Sequence, residues 1–150
     1  KETKNILLWR SSDISEIERV TVKGGNWIIL IKSATNVLKG DNFVFVYPEM
    51  MQNKIIVRRG EVITSEILEK KDLEFENINS KINTLLKKTR DKIKSRGSIV
   101  NEITTKGDFI KKIRDSIEAN LKNKYLIEVV SLKDSKTAES IIVELNITQL

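Results

Sequence analysis

The spacing of apolar residues changes twice along this chain, and the changes constrain its fold class. Up to Gly60 the apolar runs are short, rich in β-branched and aromatic residues, and separated by turn sequences, which predicts strands. These runs are 6–9, 27–31, 43–47 and 55–57. Beyond Gly60 the apolar residues recur about every 3.6 positions, which predicts helices, and after Asn123 the strand pattern returns. The sequence therefore predicts an α+β fold.

The β-rich region is predicted to form a small antiparallel sheet or barrel. Several of its strands are apolar at consecutive positions, which is typical of strands that are covered on both faces. Gly24 and Gly25 accept positive φ angles, so they predict a tight hairpin turn that pairs residues 20–22 with the strand at 27–31. Residues 48–53 predict a second turn, after the strand at 43–47.

Helix caps are predicted at two places. Asp13, with Glu16 three residues later, predicts the cap of a short helical turn in the β-rich region. Thr105, with Asp108 three residues later, predicts the start of a helix that extends to Leu121.

A long amphipathic helix is predicted to precede that capped helix. It begins after Gly60, bends near Asp72 and ends at Gly97. The apolar face that predicts it contains Ile63, Ile67, Phe75, Ile78, Ile82, Leu85, Leu86, Thr89 and Ile93. The two helices are predicted to pack as a hairpin, and residues 125–132 and 141–147 to form a C-terminal β-hairpin.

Two regions follow from these elements. Residues 1–60 are predicted to form a β-rich subdomain, and residues 61–150 to contain the helical hairpin and the C-terminal β-hairpin. The alternative is one compact domain that includes both regions.

The residue types that are absent exclude most catalytic and metal chemistry. The 150 residues include neither cysteine nor histidine, so thiolate or imidazole metal sites, cysteine nucleophiles and a Ser-His-Asp triad are excluded. The sequence also lacks the glycine-rich phosphate-binding and nucleophile-elbow motifs. We therefore predict a non-enzymatic protein with neither catalytic residues nor a metal or other cofactor.

The longest apolar runs are strand-sized, so no membrane span is predicted, and the cytoplasm is the default expectation for location. The chain has 27 basic and 21 acidic residues, a net charge of +6. An excess of positive charge is typical of proteins that bind nucleic acid.

The main candidate site is a basic stretch in the second half of the long helix. At 100° per residue, Lys81, Lys88 and Lys92 border one side of the apolar face, and Lys87, Arg90 and Lys94 border the other. We predict that the basic stretch contacts the phosphates of a nucleic acid, without reading base sequence. The alternative interpretation is a solvated helix whose lysine stems cover apolar neighbours. The predicted nucleic-acid-binding residues are Lys87, Lys88, Arg90, Lys92, Lys94 and Arg96, with Lys111, Lys112, Lys133 and Lys136 as secondary contacts.

An acidic stretch precedes the basic one and suggests another function. It contains Glu61, Glu66, Glu69, Asp72, Glu74 and Glu76. The long helix is therefore predicted to be acidic in its first part and basic in its second, so that two copies could pair antiparallel. The alternative function is therefore a structural or assembly subunit that forms an oligomer or binds a partner protein.

Two weaker indications concern nucleic acid. The order helix, helix, β-hairpin resembles that of a winged helix-turn-helix domain, but Asp115 and Glu118 share a side with the basic residues of the second helix, which disfavours insertion into a groove. Trp9 and Trp27 could stack on bases, yet their apolar neighbours favour a position in the core.

Overall fold

The computed structural model describes residues 6–38, 40–69, 72, 75–118 and 124–150. These residues form helices and several sheets, which confirms the predicted α+β class. The predictions for Glu74 and Leu121 lie outside the described residues. Contacts divide the chain into two compact units, Lys1–Asn53 and Lys54–Leu150.

The described part of the first unit contains one helix and a three-stranded sheet. Its elements are β1 (Ile6–Leu8), α1 (Ser11–Val22), β2 (Trp27–Ser33) and β3 (Phe43–Gln52). The central strand, β3, is parallel to β1 and antiparallel to β2. The sheet is therefore mixed, and the predicted purely antiparallel sheet or barrel is wrong. A helix rather than a short turn connects β1 to β2, so these two strands do not form a hairpin.

Residues 20–22 end α1 instead of forming the predicted strand. A three-residue alternation is too short to override the helix that has already started at Ser11. Gly24 and Gly25, with φ of +73° and +111°, reverse the chain after this helix. The Trp27 indole N–H donates to the Gly24 carbonyl at 3.1 Å, so this partly buried tryptophan closes the turn.

Asp13 is not the N-cap that the sequence predicted. Residue 10 occupies the cap position and makes no side-chain capping bond. Both Asp13 carboxylate oxygens instead accept hydrogen bonds from the Arg10 guanidinium, each at 3.0 Å. Asp13 therefore lies within the first turn of a 12-residue helix, longer than predicted.

The strand β3 continues through the residues predicted as a turn. Met50 and Met51 pair with Ile29 and Ile28 of β2. Pro48 is tolerated because, in the part of the chain that the structure describes, β1 pairs with residues 43–45 alone and leaves that edge of β3 unpaired at Pro48.

The described part of the second unit contains a four-stranded sheet, two helices and a short strand pair. The elements are β4 (Ile55–Val57), β5 (Val62–Glu69), α2 (Phe75–Ser95), β6 (Ile103–Thr105), α3 (Phe109–Glu118), β7 (Lys124–Ser131), β8 (Ser135–Lys136) and β9 (Ile141–Gln149). The sheet order is β5-β7-β9-β6, and β4 pairs with β8. The last long strands, β7 and β9, are antiparallel, whereas β6 and β9 are parallel.

The first part of the predicted long helix is the strand β5. Ile63 and Leu68 are buried while Ile67 is 49% exposed, a pattern that does not fit one helical face. The β-branched residues of this segment pair with β7 along its whole length. The helix begins at Phe75, so Glu61, Glu66 and Glu69 do not belong to it.

The core of the second unit lies between one face of the sheet and the two helices. Ile82 and Leu85 of α2 pack with Phe109 and Ile113 of α3 in one cluster of buried residues. Gly97 ends α2 as predicted, with φ of +99° and a hydrogen bond from the next residue's N–H to the Ile93 carbonyl.

The cap of α3 is Asp108 rather than Thr105. One Asp108 carboxylate oxygen accepts hydrogen bonds from the Ile110 and Lys111 N–H groups, at 2.9 and 3.1 Å. Thr105 instead ends β6. Because β6 lies between α2 and α3 in the chain, the predicted direct succession of two helices is interrupted, and the winged helix-turn-helix order is wrong.

Candidate nucleic-acid interface

Five of the six basic side chains of α2, together with Arg96 just after the helix, form two groups with different surroundings, and the sixth, Lys92, is exposed. The first group, which we call the paired row, consists of Lys81, Lys88 and Arg96. Each of these three side chains has an acidic partner. Lys88 Nζ lies 2.6 Å from Glu66 Oε2, Arg96 Nη1 lies 2.6 Å from Glu61 Oε1, and Lys81 Nζ lies 3.7 Å from Asp72 Oδ2.

The second group, which we call the free row, consists of Lys87, Arg90 and Lys94. These three positions have the i, i+3, i+7 spacing of one helix face, and all three side chains are exposed. Within the described ranges, none of the three has an acidic partner within 4.0 Å. The row extends about 10 Å along the helix axis. Asp91 is the one acid that the sequence places among these residues.

A turn between β4 and β5 adds two further cations that the sequence analysis missed. Residues 58–61, which we call the arginine turn, place Arg58 and Arg59 in exposed positions. Gly60 adopts φ of +77° and the Glu61 N–H donates to the Arg58 carbonyl at 3.1 Å, which closes the turn. The available signal was an Arg-Arg-Gly sequence between two strands.

The acids near the arginine turn are occupied by backbone groups. Glu61 Oε2 accepts the Arg58 N–H at 3.0 Å, and Asp134 Oδ1 accepts the Arg59 N–H at 2.7 Å. Neither arginine side chain has an ion-pair partner in the part of the chain that the structure describes. Both guanidinium groups are therefore available to an external anion.

Arg96 joins the end of α2 to the arginine turn. Its Nη1 donates to the Ile56 carbonyl at 3.1 Å in addition to its contact with Glu61. The pKa of Glu61 is lowered, first by the hydrogen bond from the Arg58 N–H and then by Arg96 and Lys92. Glu61 is therefore ionised at neutral pH, and its two contacts connect the arginine turn to the end of α2.

The four predicted secondary contacts are dispersed. Lys112 Nζ donates to the Leu145 carbonyl at 3.2 Å, whereas Lys111 is exposed on α3. Lys133 follows β7 and is next in sequence to Asp134, which holds the arginine turn. Lys136 lies in β8 and pairs with Ile55 of β4. The contacts of Asp134 and Ile55 bring the segments of Lys133 and Lys136 to the arginine turn, but no such contact connects Lys111 or Lys112 to it among the described residues.

No cluster of three acidic side chains suited to a metal ion occurs in the described ranges. None of the helices in those ranges is long and apolar enough to cross a membrane. No family model, curated protein or solved structure matches this chain.

Proposed function

We propose that this protein binds nucleic acid, without catalysis, through phosphate contacts made by the free row and the arginine turn. The observation that supports this proposal is that the five cations of the free row and the arginine turn are exposed and have no acidic partner in the described chain. They are Arg58, Arg59, Lys87, Arg90 and Lys94. A cation that has no partner within the protein can replace the counterions of a phosphate, and the release of those counterions drives binding.

The distribution of charge supports the same proposal. Residues 54–150 contain 20 of the 27 basic residues and 15 of the 21 acidic ones, so this unit carries +5 of the net charge of +6. A net positive unit attracts a polyanion over a longer range than any single contact.

The alternative interpretation of the basic stretch, a solvated helix that binds no ligand, explains the paired row better than it explains the free row. Lysine stems on a solvated helix cover apolar neighbours, and their charges pair with nearby acids. Lys88 does pair with Glu66 in this way. By the helical spacing, Lys87 and Lys94 lie on the side of α2 opposite Leu85, and their stems are directed away from the core. Free charges directed away from the core favour an external ligand.

In this proposal Lys92, Lys133 and Lys136 provide secondary phosphate contacts. Lys111 and Lys112 provide further phosphate contacts outside the free row and the arginine turn. Lys88 and Arg96, which the sequence analysis assigned to phosphate, act mainly by holding α2 to β5 and to the arginine turn. Because the contacts are to phosphate, no preference for base sequence is expected. We expect the protein to act in the cytoplasm.

The assembly alternative has less support. It required an acidic first half of the long helix that would pair with a second copy, whereas Glu61 and Glu66 lie beside the sheet and pair with α2 of the same unit. Assembly becomes the favoured function if charge reversal at Arg90 and Lys94 changes the oligomeric state and leaves nucleic-acid binding unchanged.

The experiment compares two double charge reversals by fluorescence anisotropy, with single- and double-stranded DNA and RNA across a salt series. The site variant is Arg90→Glu with Lys94→Glu. The matched control is Lys23→Glu with Lys106→Glu, which alters by the same total charge two exposed lysines that belong neither to the free row nor to the arginine turn. Light scattering and circular dichroism on the same samples report the oligomeric state and the helix content.

We expect wild-type protein to bind with submicromolar affinity at low salt, and binding to weaken steeply as salt rises. The site variant is expected to lose about two orders of magnitude in affinity, and the control much less, because both have the same net charge but only one alters the free row. Equal losses in both variants, or no binding by the wild type at low salt, would refute the proposal.

A further inference from the structure

The first unit presents a row of exposed aromatic side chains on β3. Phe43, Phe45 and Tyr47 are 54%, 50% and 38% exposed, whereas Val44 and Val46 between them are buried. Alternate residues of a strand point to the same face, so the three rings share one face of the sheet. The prediction that both faces of this strand are covered is therefore wrong. Trp9 and Trp27, which the sequence analysis considered for stacking, are both less exposed than these rings.

A pocket of about 330 Å³ opens beside two of these rings. It is lined by Phe45 and Tyr47, by Leu8 of the neighbouring strand and by Arg10. A pocket that is mostly apolar and has one charged group is typical of sites that bind a flat organic ring and orient it through a polar contact. Its volume is in the range of small-molecule sites, so it accommodates a nucleobase.

One of the two aromatic rings in the pocket, that of Phe45, is held in a fixed orientation by its neighbour. Phe43 meets Phe45 edge to face, with the ring centroids 5.9 Å apart and the planes at 82°. This contact restrains the Phe45 ring, so a base that stacks on it does not have to order it first.

The pocket also has a donor for a phosphate. The Arg10 side chain is 75% exposed and uses its Nε and Nη2 atoms to hold Asp13. A guanidinium has five N–H groups, so the Nη1 group remains for an acceptor outside the protein. Lys32 lies opposite Tyr47 on the adjacent strand and adds positive charge to the same face, although it pairs with Glu49.

We propose that this pocket binds an unpaired nucleobase of a single-stranded nucleic acid, which stacks on Phe45 or Tyr47 while a neighbouring phosphate contacts Arg10. The choice of occupant rests on the proposed function, because the second unit supplies the general affinity for phosphate. A base in a duplex is stacked and paired and cannot enter a pocket of this kind, so the occupant is single-stranded. The pocket therefore gives the protein a preference for single strands over duplexes.

The test compares a single-stranded oligothymidine with a duplex of the same length, again by fluorescence anisotropy. The variants are Phe45→Leu and Tyr47→Leu, since leucine keeps an apolar side chain and removes the flat ring. The control is Ile14→Ala, which changes another half-exposed apolar residue of the first unit. Both ring positions are exposed, so the variants are expected to fold, and thermal unfolding of each protein checks this.

We expect each ring variant to bind the single strand about tenfold more weakly and the duplex as the wild type does. This loss is expected to persist at high salt, because stacking does not depend on counterion release. Ultraviolet cross-linking of a 5-bromouracil oligonucleotide is expected to label the peptide that contains Phe45 and Tyr47.

Single-strand affinity that is unchanged in both ring variants would overturn the inference. If the free-row variant, Arg90→Glu with Lys94→Glu, still loses binding in that case, the proposed function survives alone. If the ring variants lose single-strand binding while the free-row variant does not, the proposed function fails and the pocket survives. A Phe45→Asp variant that leaves nucleic-acid binding intact and dissociates an oligomer would instead assign this face to a protein partner and refute a base-binding role.

Discussion

The paired row and the free row contain the same residue types and lie along α2 and its C-terminal end, yet their surroundings differ. In the paired row, Glu66 of β5 neutralises Lys88, and Glu61, just before β5, neutralises Arg96. The free row is directed away from β5 and has no such partner among the described residues. A run of basic residues therefore identifies a positively charged helix, whereas the acidic residues packed against that helix determine which of its charges remain available to a ligand.

The largest expected difference between the rows is in the salt dependence of binding. Changing Lys87, Arg90 and Lys94 to glutamine is expected to lower the slope of log affinity against log salt by about 2 to 3, because each phosphate contact contributes about 0.7 to 0.9. Changing Lys88 and Arg96 to glutamine is expected to leave the slope nearly unchanged. Equal changes of slope would show that the two rows do not differ in function.

The next largest effect is on the free energy of unfolding, which is expected to depend on Arg96 and not on Arg90. Arg96→Met removes the ion pair with Glu61 and the hydrogen bond to the Ile56 carbonyl, both in a partly buried position, and is expected to cost about 2 kcal/mol. Arg90→Met, the matched control, is expected to change the free energy of unfolding by less than about 0.5 kcal/mol. Urea unfolding measures both values. A destabilised Arg90→Met variant would mean that the free row also has structural contacts.

A smaller effect concerns the pH dependence of stability and tests the role of Glu61. Its pKa is lowered in the folded protein, so the stability that it contributes is complete above its unfolded-state pKa and is lost as pH falls through the folded-state value. The stability advantage of the wild type over Glu61→Gln is therefore expected to be about 1 kcal/mol near pH 7, and to decrease as pH falls through the folded-state pKa of Glu61. Urea unfolding at several pH values measures it. An advantage that stays constant with pH would contradict the ion-pair role of Glu61.

The smallest expected effect is the coupling between Lys88 and Glu66. Lys88 is 53% exposed, and exposed pairs contribute little, so a double-mutant cycle with Lys88→Met and Glu66→Gln is expected to give a coupling below about 1 kcal/mol. A coupling well above this value would mean that the pair is a main attachment of α2 to the sheet.

The fold class and several boundaries could be predicted from the sequence, because they depend on local patterns. The helical character of residues 75–95, the end of that helix at Gly97 and the starts of the strands at Trp27 and Phe43 follow from periodicity or from glycine, whereas the start of the helix at Phe75 does not. The strand β5 could not, because Ile63 and Ile67 are four residues apart and match one helix face as well as they match a strand. Only the pairing with β7 selects the strand.

The candidate site could also be predicted only in part from the sequence. Helical spacing correctly separated Lys88 from Lys87, Arg90 and Lys94, since that separation depends only on 100° per residue. Arg58 and Arg59 were missed because two adjacent arginines in a turn have no periodicity. They join the site through the hydrogen bond from Arg59 to Asp134 and through the contacts of Arg96 with Ile56 and Glu61, which connect segments far apart in the chain.

The excess of positive charge, the absence of cysteine and histidine, and the amphipathic face of α2 are properties of composition and of local spacing, so they follow directly from the sequence. Which charges are neutralised and which rings are exposed depends instead on the folded structure. Charge neutralisation depends on the few ångströms between an ammonium and a carboxylate, and ring exposure on which face of β3 is covered. Both are set by contacts between residues that are distant in the sequence, and local patterns carry no information about those contacts.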